Sequence, residues 1–345
     1  MSRNPRNLHR TLPLTALCAV ACTALTLDAG RAEAYVRSYT SEGCHPVFWA
    51  QTCVHIVADS AAVPELSLSE VERITKQAID SWQTRISGSG FLKLVQLPAN
   101  GGRETNPIDK LQVIKFRSGS WCRPAMDGKQ QVCYDQSAAA ITTVTYINKP
   151  TDATADGRII DADIELNAVA NYFYDADKKP TPSPGQRKLS DLWNTLTHEM
   201  GHMIGLEHTC KRVPFDSMPS CTRDGTGATV ISCSTVESGR LTNPTYQSIY
   251  DTTMYPTADP QETKKRLPKA DDVSGVVNTY PSGNDPNSCV IPDVYNASMS
   301  TGGCSTATTA GGGQRDPAGG ILAMFGGLGV ALALLLARRR QQTGA

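Results

Sequence analysis

Apolar residues recur with two different periods along this chain. Val71, Ile74, Ala78, Ile79 and Trp82 share one helix face, which predicts a helix starting near Ser69. Val273, Val276, Val277 and Tyr280 follow at i, i+3, i+4 and i+7, which predicts a second helix across residues 267–280, with Asp271 and Asp272 placed to favour its positive end. Residues 160–167 alternate apolar and polar, the period of a half-buried strand whose acids Asp161, Asp163 and Glu165 would face solvent. Apolar runs at 113–116 and 141–147 read as further strands. Residues 175–186, rich in Lys, Pro and Ser, read as an exposed loop, after which Ser190 is placed to cap another helix. Strands and helices mixed in this way imply an α/β fold.

Both ends of the sequence break the pattern. Arg3, Arg6 and Arg10 precede an apolar run across 12–27, and Ala32-Glu33-Ala34 fits a small-x-small cleavage site. Residues 1–34 therefore read as a Sec-type signal peptide, with a mature start near Tyr35. Lipoprotein processing at Cys22 is the alternative, opposed by a short apolar stretch interrupted at Pro13. Residues 321–337 are continuously apolar and precede Arg338-Arg339-Arg340, which predicts a transmembrane helix with a basic cytoplasmic tail at 338–345. Between them, residues 35–284 suffice for one sizeable domain, and 285–320 form a low-complexity stalk.

Charge changes the picture by exclusion. Lys plus Arg and Asp plus Glu both number 33, giving zero formal net charge, and no basic stripe is present, so nucleic acid is not an expected partner. Of 11 cysteines, Cys18 and Cys22 fall in the signal and Cys304 in the tail, which leaves an even set, as disulfides in an exported chain require. Cys44 with Cys53 and Cys122 with Cys133 are the expected short-range pairs. Cys210, Cys221, Cys233 and Cys289 are available to brace the loop that follows His208. These four lack C-x-x-C spacing, which disfavours a zinc cluster.

The candidate chemistry is concentrated in His198-Glu199-Met200-Gly201-His202-Met203-Ile204-Gly205-Leu206-Glu207-His208. Residues four apart on a helix lie one turn up and roughly 40° round, so His198 and His202 can close on one ion. Glu199 then stands beside the metal, placed to take a proton from water. Gly205 can adopt positive φ and turn the chain back, so that His208 reaches the same ion. Three imidazoles leave a fourth position open, the arrangement of a catalytic and not a structural zinc.

This motif resembles that of the metzincin clan of zinc metallopeptidases. The clan's second signature, the Met-turn, matches Thr252-Thr253-Met254-Tyr255-Pro256, and its Met-Tyr-Pro form is similar to the matrixin branch. The resemblance implies a twisted mixed sheet with two main helices and a zinc cleft between an N-terminal lobe and a smaller C-terminal lobe. It implies His198, His202 and His208 as ligands of one Zn2+, Glu199 as general base, and Met254 as a packed floor beneath them. No switch tyrosine is expected, because Pro256 occupies its place. The resemblance also implies that 160–167 is an edge strand with which a protein or peptide substrate pairs. Matrixins often carry Ca2+, but Asp161, Asp163 and Glu165 do not commit this chain to it. The tail, with Gly302-Gly303-Cys304-Ser305, resembles a MYXO-CTERM-type sorting tag. That implies a membrane protease that cuts near Cys304, membrane attachment through the C-terminal helix before processing, and a Gram-negative cell-surface or extracellular destination.

Two features depart from the matrixin pattern. The connection from His208 to Met254 is long, and no Pro-Arg-Cys-Gly-x-Pro-Asp switch is present. Cys44 is better placed for a disulfide than as a thiolate cap on zinc. The function expected is an exported, surface-anchored zinc endopeptidase. The alternatives are a non-catalytic zinc-containing surface binding protein and a zinc hydrolase of non-peptide amides.

Overall fold

The computed structural model describes residues 34–59, 63–99, 103–125, 130–178, 181–214 and 216–300, together with Met1. The signal-peptide stretch, apart from Met1 and Ala34, and the features predicted beyond 300, including Cys304 and the apolar run at 321–337, lie outside these residues. Among the described residues no helix is long and apolar enough to cross a membrane.

The strands are β1 (Val36–Arg37), β2 (Cys53–Ala58), β3 (Lys93–Leu97), β4 (Gln112–Arg117), β5 (Cys122–Arg123), β6 (Val132–Cys133), β7 (Ala140–Tyr146), β8 (Ile159–Asn167), β9 (Asn171–Tyr174), β10 (Lys188–Asp191) and β11 (Leu206–Glu207). The helices are α1 (Leu68–Ile86), α2 (Leu192–Met203), α3 (Cys233–Gly239), α4 (Pro244–Tyr250), α5 (Ala270–Thr279) and α6 (Asp293–Ser300). A five-stranded mixed sheet runs β3-β2-β4-β8-β7, parallel except for antiparallel β7. The α/β class with a mixed sheet and a few helices is therefore what the fold has.

Helix α1 starts at an N-cap, Ser67, that exchanges hydrogen bonds with Glu70, and it buries the predicted face of Val71, Ile74, Ala78, Ile79 and Trp82. The face is shared with α2: the Trp82 indole donates to the Thr197 carbonyl at 2.9 Å. The end of α2 is fixed by two further buried donors. The Trp49 indole reaches the Met203 carbonyl at 2.8 Å, and the Tyr280 hydroxyl reaches that of Ile204 at 2.9 Å. Each such ring, buried in the core, contributes roughly 1.5–3 kcal/mol of apolar transfer and leaves no unsatisfied polar tip. The helix cap differs from expectation. Asp191, not Ser190, caps α2, accepting from the Asn194 amide at 2.8 Å, because the helix begins directly after it at Leu192, while Ser190 spends its hydroxyl on Asn171.

Three other expectations are corrected. The strand at 160–167 is not an edge: β8 lies between β4 and β7, and among the described residues β7 is the outer strand on that side. Its acids are not solvated either, since Asp161, Asp163 and Glu165 are fully buried. Glu165 accepts from Arg117 Nε at 2.6 Å, Arg123 Nε at 2.9 Å and the Tyr134 hydroxyl at 2.6 Å, so the segment carrying β5 and β6 covers that face. Finally, Cys44 pairs with Cys221 and Cys53 with Cys289, whereas Cys122–Cys133 and Cys210–Cys233 are joined within short loops. Cys44 is thus closed in a disulfide, with a partner 177 residues away. The chain also stays on the fold beyond Asn284: Cys289 is bonded to β2, and Tyr295 of α6 is buried against Val57, Leu97, Leu111 and Val113.

Candidate metal centre

Helix α2 carries His198, Glu199 and His202, and ends at Met203. Gly205 then adopts φ +91°, where a Cβ would lie 2.6 Å from the Val47 carbonyl oxygen. Only glycine allows the chain to leave the helix here. The turn enters β11, which pairs with β1 and delivers His208 directly afterwards. The three imidazoles converge, with ring centroids 5.0, 5.5 and 4.8 Å apart and ligand atoms within 4.8 Å of one another.

The outer contacts set which nitrogens face inward. His198 Nδ1 lies 2.6 Å from the Thr253 carbonyl and His202 Nδ1 lies 2.9 Å from that of Leu206. A carbonyl only accepts, so both Nδ1 atoms carry the proton and both Nε2 atoms present lone pairs. His202 Nε2 and His208 Nε2 stand 3.2 Å apart. Burial, with Lys265 adding, pushes His198 below the ordinary imidazole range, and burial does the same to His208. Three converging imidazoles, His198 buried and His202 and His208 partly so, turn ring nitrogens toward one point, which is the donor set that Zn2+ takes, so His198, His202 and His208 fit this ion.

Glu199 is buried and points at strand β7. Its carboxylate accepts from the Thr142 hydroxyl at 2.7 Å, and the same hydroxyl lies 3.1 Å from the Glu199 carbonyl. Burial pushes the Glu199 carboxyl upward, against His202 and the Thr142 hydroxyl, which favour its charged form. The site therefore lies between edge strand β7 on one side and the turn at 252–255 on the other.

Met254 is buried in the core beside α2. Its sulfur packs so tightly on Gly201 that any Cβ there would overlap it. Asp272 of α5 supports this turn, accepting from the amides of Thr253 at 2.8 Å, Met254 at 3.2 Å and Lys269 at 2.9 Å. Tyr255 turns away from the histidines, donating its hydroxyl to Glu237 of α3 at 3.0 Å.

Sequence reasoning missed several of these residues. Thr142 carried no local signal. Gly201 stood in a variable position of the motif, and Asp272 was assigned only to a packing helix. Asp216, 3.5 Å from His208 Nδ1, lay in an unread insertion.

No curated protein matches this chain. Residues 129–266, which include all three histidines, Glu199 and Met254, match the family model Reprolysin_5, a metallo-peptidase family M12, and this supports a metzincin-type zinc peptidase.

Proposed function

We propose that this chain is an exported, surface-anchored zinc endopeptidase of matrixin-like type that hydrolyses peptide bonds with Glu199 as general base. The family match supports zinc-dependent peptide hydrolysis in general. The observation that carries the finer reading is the aimed carboxylate of Glu199, buried beside three converging imidazoles and held by Thr142.

His198, His202 and His208 would hold the zinc, which when bound supplies Lewis-acid polarisation of the scissile carbonyl. Glu199 takes the proton of the attacking water and returns it to the leaving amine, and Thr142 keeps its carboxylate aligned through both transfers. Met254 fills the floor beneath the ligands. The outer edge of β7, one residue of which already touches Glu199, suits an extended substrate that adds to the sheet as a further strand. A structural zinc would give that aimed base no role, and a non-peptide amide substrate would leave the edge of β7 without one.

Export and anchoring are inferred from the sequence. The basic and apolar start with Ala32-Glu33-Ala34, and the Gly-Gly-Cys304 signal followed by an apolar run and Arg338-Arg339-Arg340, support a surface destination in a Gram-negative cell, with the tag removed by a membrane protease. Mass spectrometry of the protein recovered from the cell surface should give a chain starting at Tyr35 and ending near Cys304; an uncut chain in the cytoplasm would refute this.

The enzymatic test compares wild type with Glu199→Ala for zinc content and casein cleavage. Wild type should hold about one zinc and cut, while the variant should keep the metal and lose several orders of magnitude in rate. Normal cleavage by Glu199→Ala would sink the assignment.

A further inference from the structure

The long connection between His208 and Met254 is bound tightly to the rest of the fold. Cys210–Cys233 closes its neck, Cys44–Cys221 ties it to the amino-terminal segment, and Val36 bridges to Asp224. At its start, Arg212 and Asp216 form a compact pair. The Asp216 carboxylate accepts from the Arg212 amide at 2.8 Å, from Nε at 3.0 Å and from Nη2 at 2.8 Å. Only 9% of the Asp216 side chain is exposed, and its Oδ2 stands 3.5 Å from Nδ1 of His208.

The other two rings show what this position means. His198 and His202 each have Nδ1 committed to a backbone carbonyl, at 2.6 and 2.9 Å. Among the described residues His208 Nδ1 has no hydrogen-bond partner, and the carboxylate nearer to it is that of Asp216. Among the described residues the other acid paired with this ring is Glu207. It lies farther off, at 3.9 Å, and its carboxylate accepts the His208 backbone amide at 3.1 Å.

We infer that Asp216, supplied by the insertion, is the positioning residue of the third imidazole, orienting His208 by a carboxylate where the other two rings use carbonyls. This inference rests on reading the three histidines as a metal centre. A carboxylate fixes the ring's tautomer, as a carbonyl does, and also makes the inward nitrogen more basic. Arg212 fixes the carboxylate in turn, so the insertion completes the metal centre as well as framing it.

The test is zinc affinity, measured on metal-stripped full-length protein by competition with a chromophoric chelator, and it needs no substrate. Asp216→Ala should weaken zinc binding by roughly ten- to a hundredfold, the usual cost of losing a partner behind a ligand. Asp216→Asn keeps an acceptor without the charge and should fall between, while Glu207→Gln should stay within about twofold of wild type. Cobalt(II) substitution adds a spectroscopic check: the d–d bands should shift in both Asp216 variants and not in Glu207→Gln. If Asp216→Ala does not fold, Asp216→Asn alone decides. Tight zinc binding by wild type with unchanged affinity in the Asp216 variants would overturn this inference and leave the metal centre standing. A wild type that takes up no zinc would overturn both.

Discussion

The hydroxyl of Thr142 donates to the carboxylate of Glu199 at 2.7 Å, joining outer strand β7 to helix α2 across 57 residues of chain. Thr142→Val keeps the shape and removes the donor. A hydrogen bond to a charged group contributes roughly 1.5–3 kcal/mol, so the variant should lose about ten- to a hundredfold in kcat with zinc content unchanged. Steady-state kinetics beside metal analysis checks this, and an unaltered kcat would remove Thr142 from the mechanism.

Gly201 is expected to resist its mildest replacement. A Cβ there would overlap the Met254 sulfur and approach Cε at 3.0 Å, on a helix pinned by Trp82. Gly201→Ala should destabilise the fold by roughly 1–3 kcal/mol, as overpacking does. Thermal unfolding would show it, and the double variant Gly201→Ala with Met254→Ala should recover part of the loss.

Asp272 gathers three backbone amides, and those of Thr253 and Met254 would otherwise be buried without this partner. Asp272→Ala should cost about 3 kcal/mol or more, since each orphaned donor costs roughly 1–3 kcal/mol. Asp272→Asn should cost less. Urea unfolding of the pair gives the comparison, and equal losses would argue against the amide-holding role.

The acids of β8 predict an unusual pH response. Burial raises both Asp161 and Asp163 above the ordinary carboxylate range, and each has one oxygen on a backbone amide. The unfolded chain releases these protons in the ordinary range while the native state keeps them. Between that range and the raised one, the native state binds more protons, so this contribution to stability falls as pH rises. Melting temperature should therefore drop from about pH 5 toward pH 8, and Asp163→Asn should flatten that slope. An identical slope in the variant would show that the pair does not set it.

The sequence made the histidine site legible because its ligands and base occupy one turn and a half of helix plus one reversal, all local relations. The partners that aim them were hidden for the same reason. Thr142, Asp216 and Asp272 reach α2, His208 and the Met-turn through tertiary contacts that no period or spacing encodes. The strand at 159–167 shows a second limit. Alternation assigned its two faces, yet could not say that Arg117, Arg123 and Tyr134 would roof the acidic one, or that β7 would take the edge. Disulfide pairing failed similarly: proximity in sequence found Cys122–Cys133 but not Cys44–Cys221 or Cys53–Cys289, because eight cysteines allow about 105 connectivities and sheet topology chooses among them.

Those two long bridges have a bearing on wear. The covalent loops closed by Cys44–Cys221 and Cys53–Cys289 overlap, so a single backbone scission anywhere from 44 to 289 leaves both fragments tethered. Damage by neighbouring copies at the looped stretch after His208 would release no piece. Such a nick would pass unseen by size under oxidising conditions and appear as two bands once thiol is added.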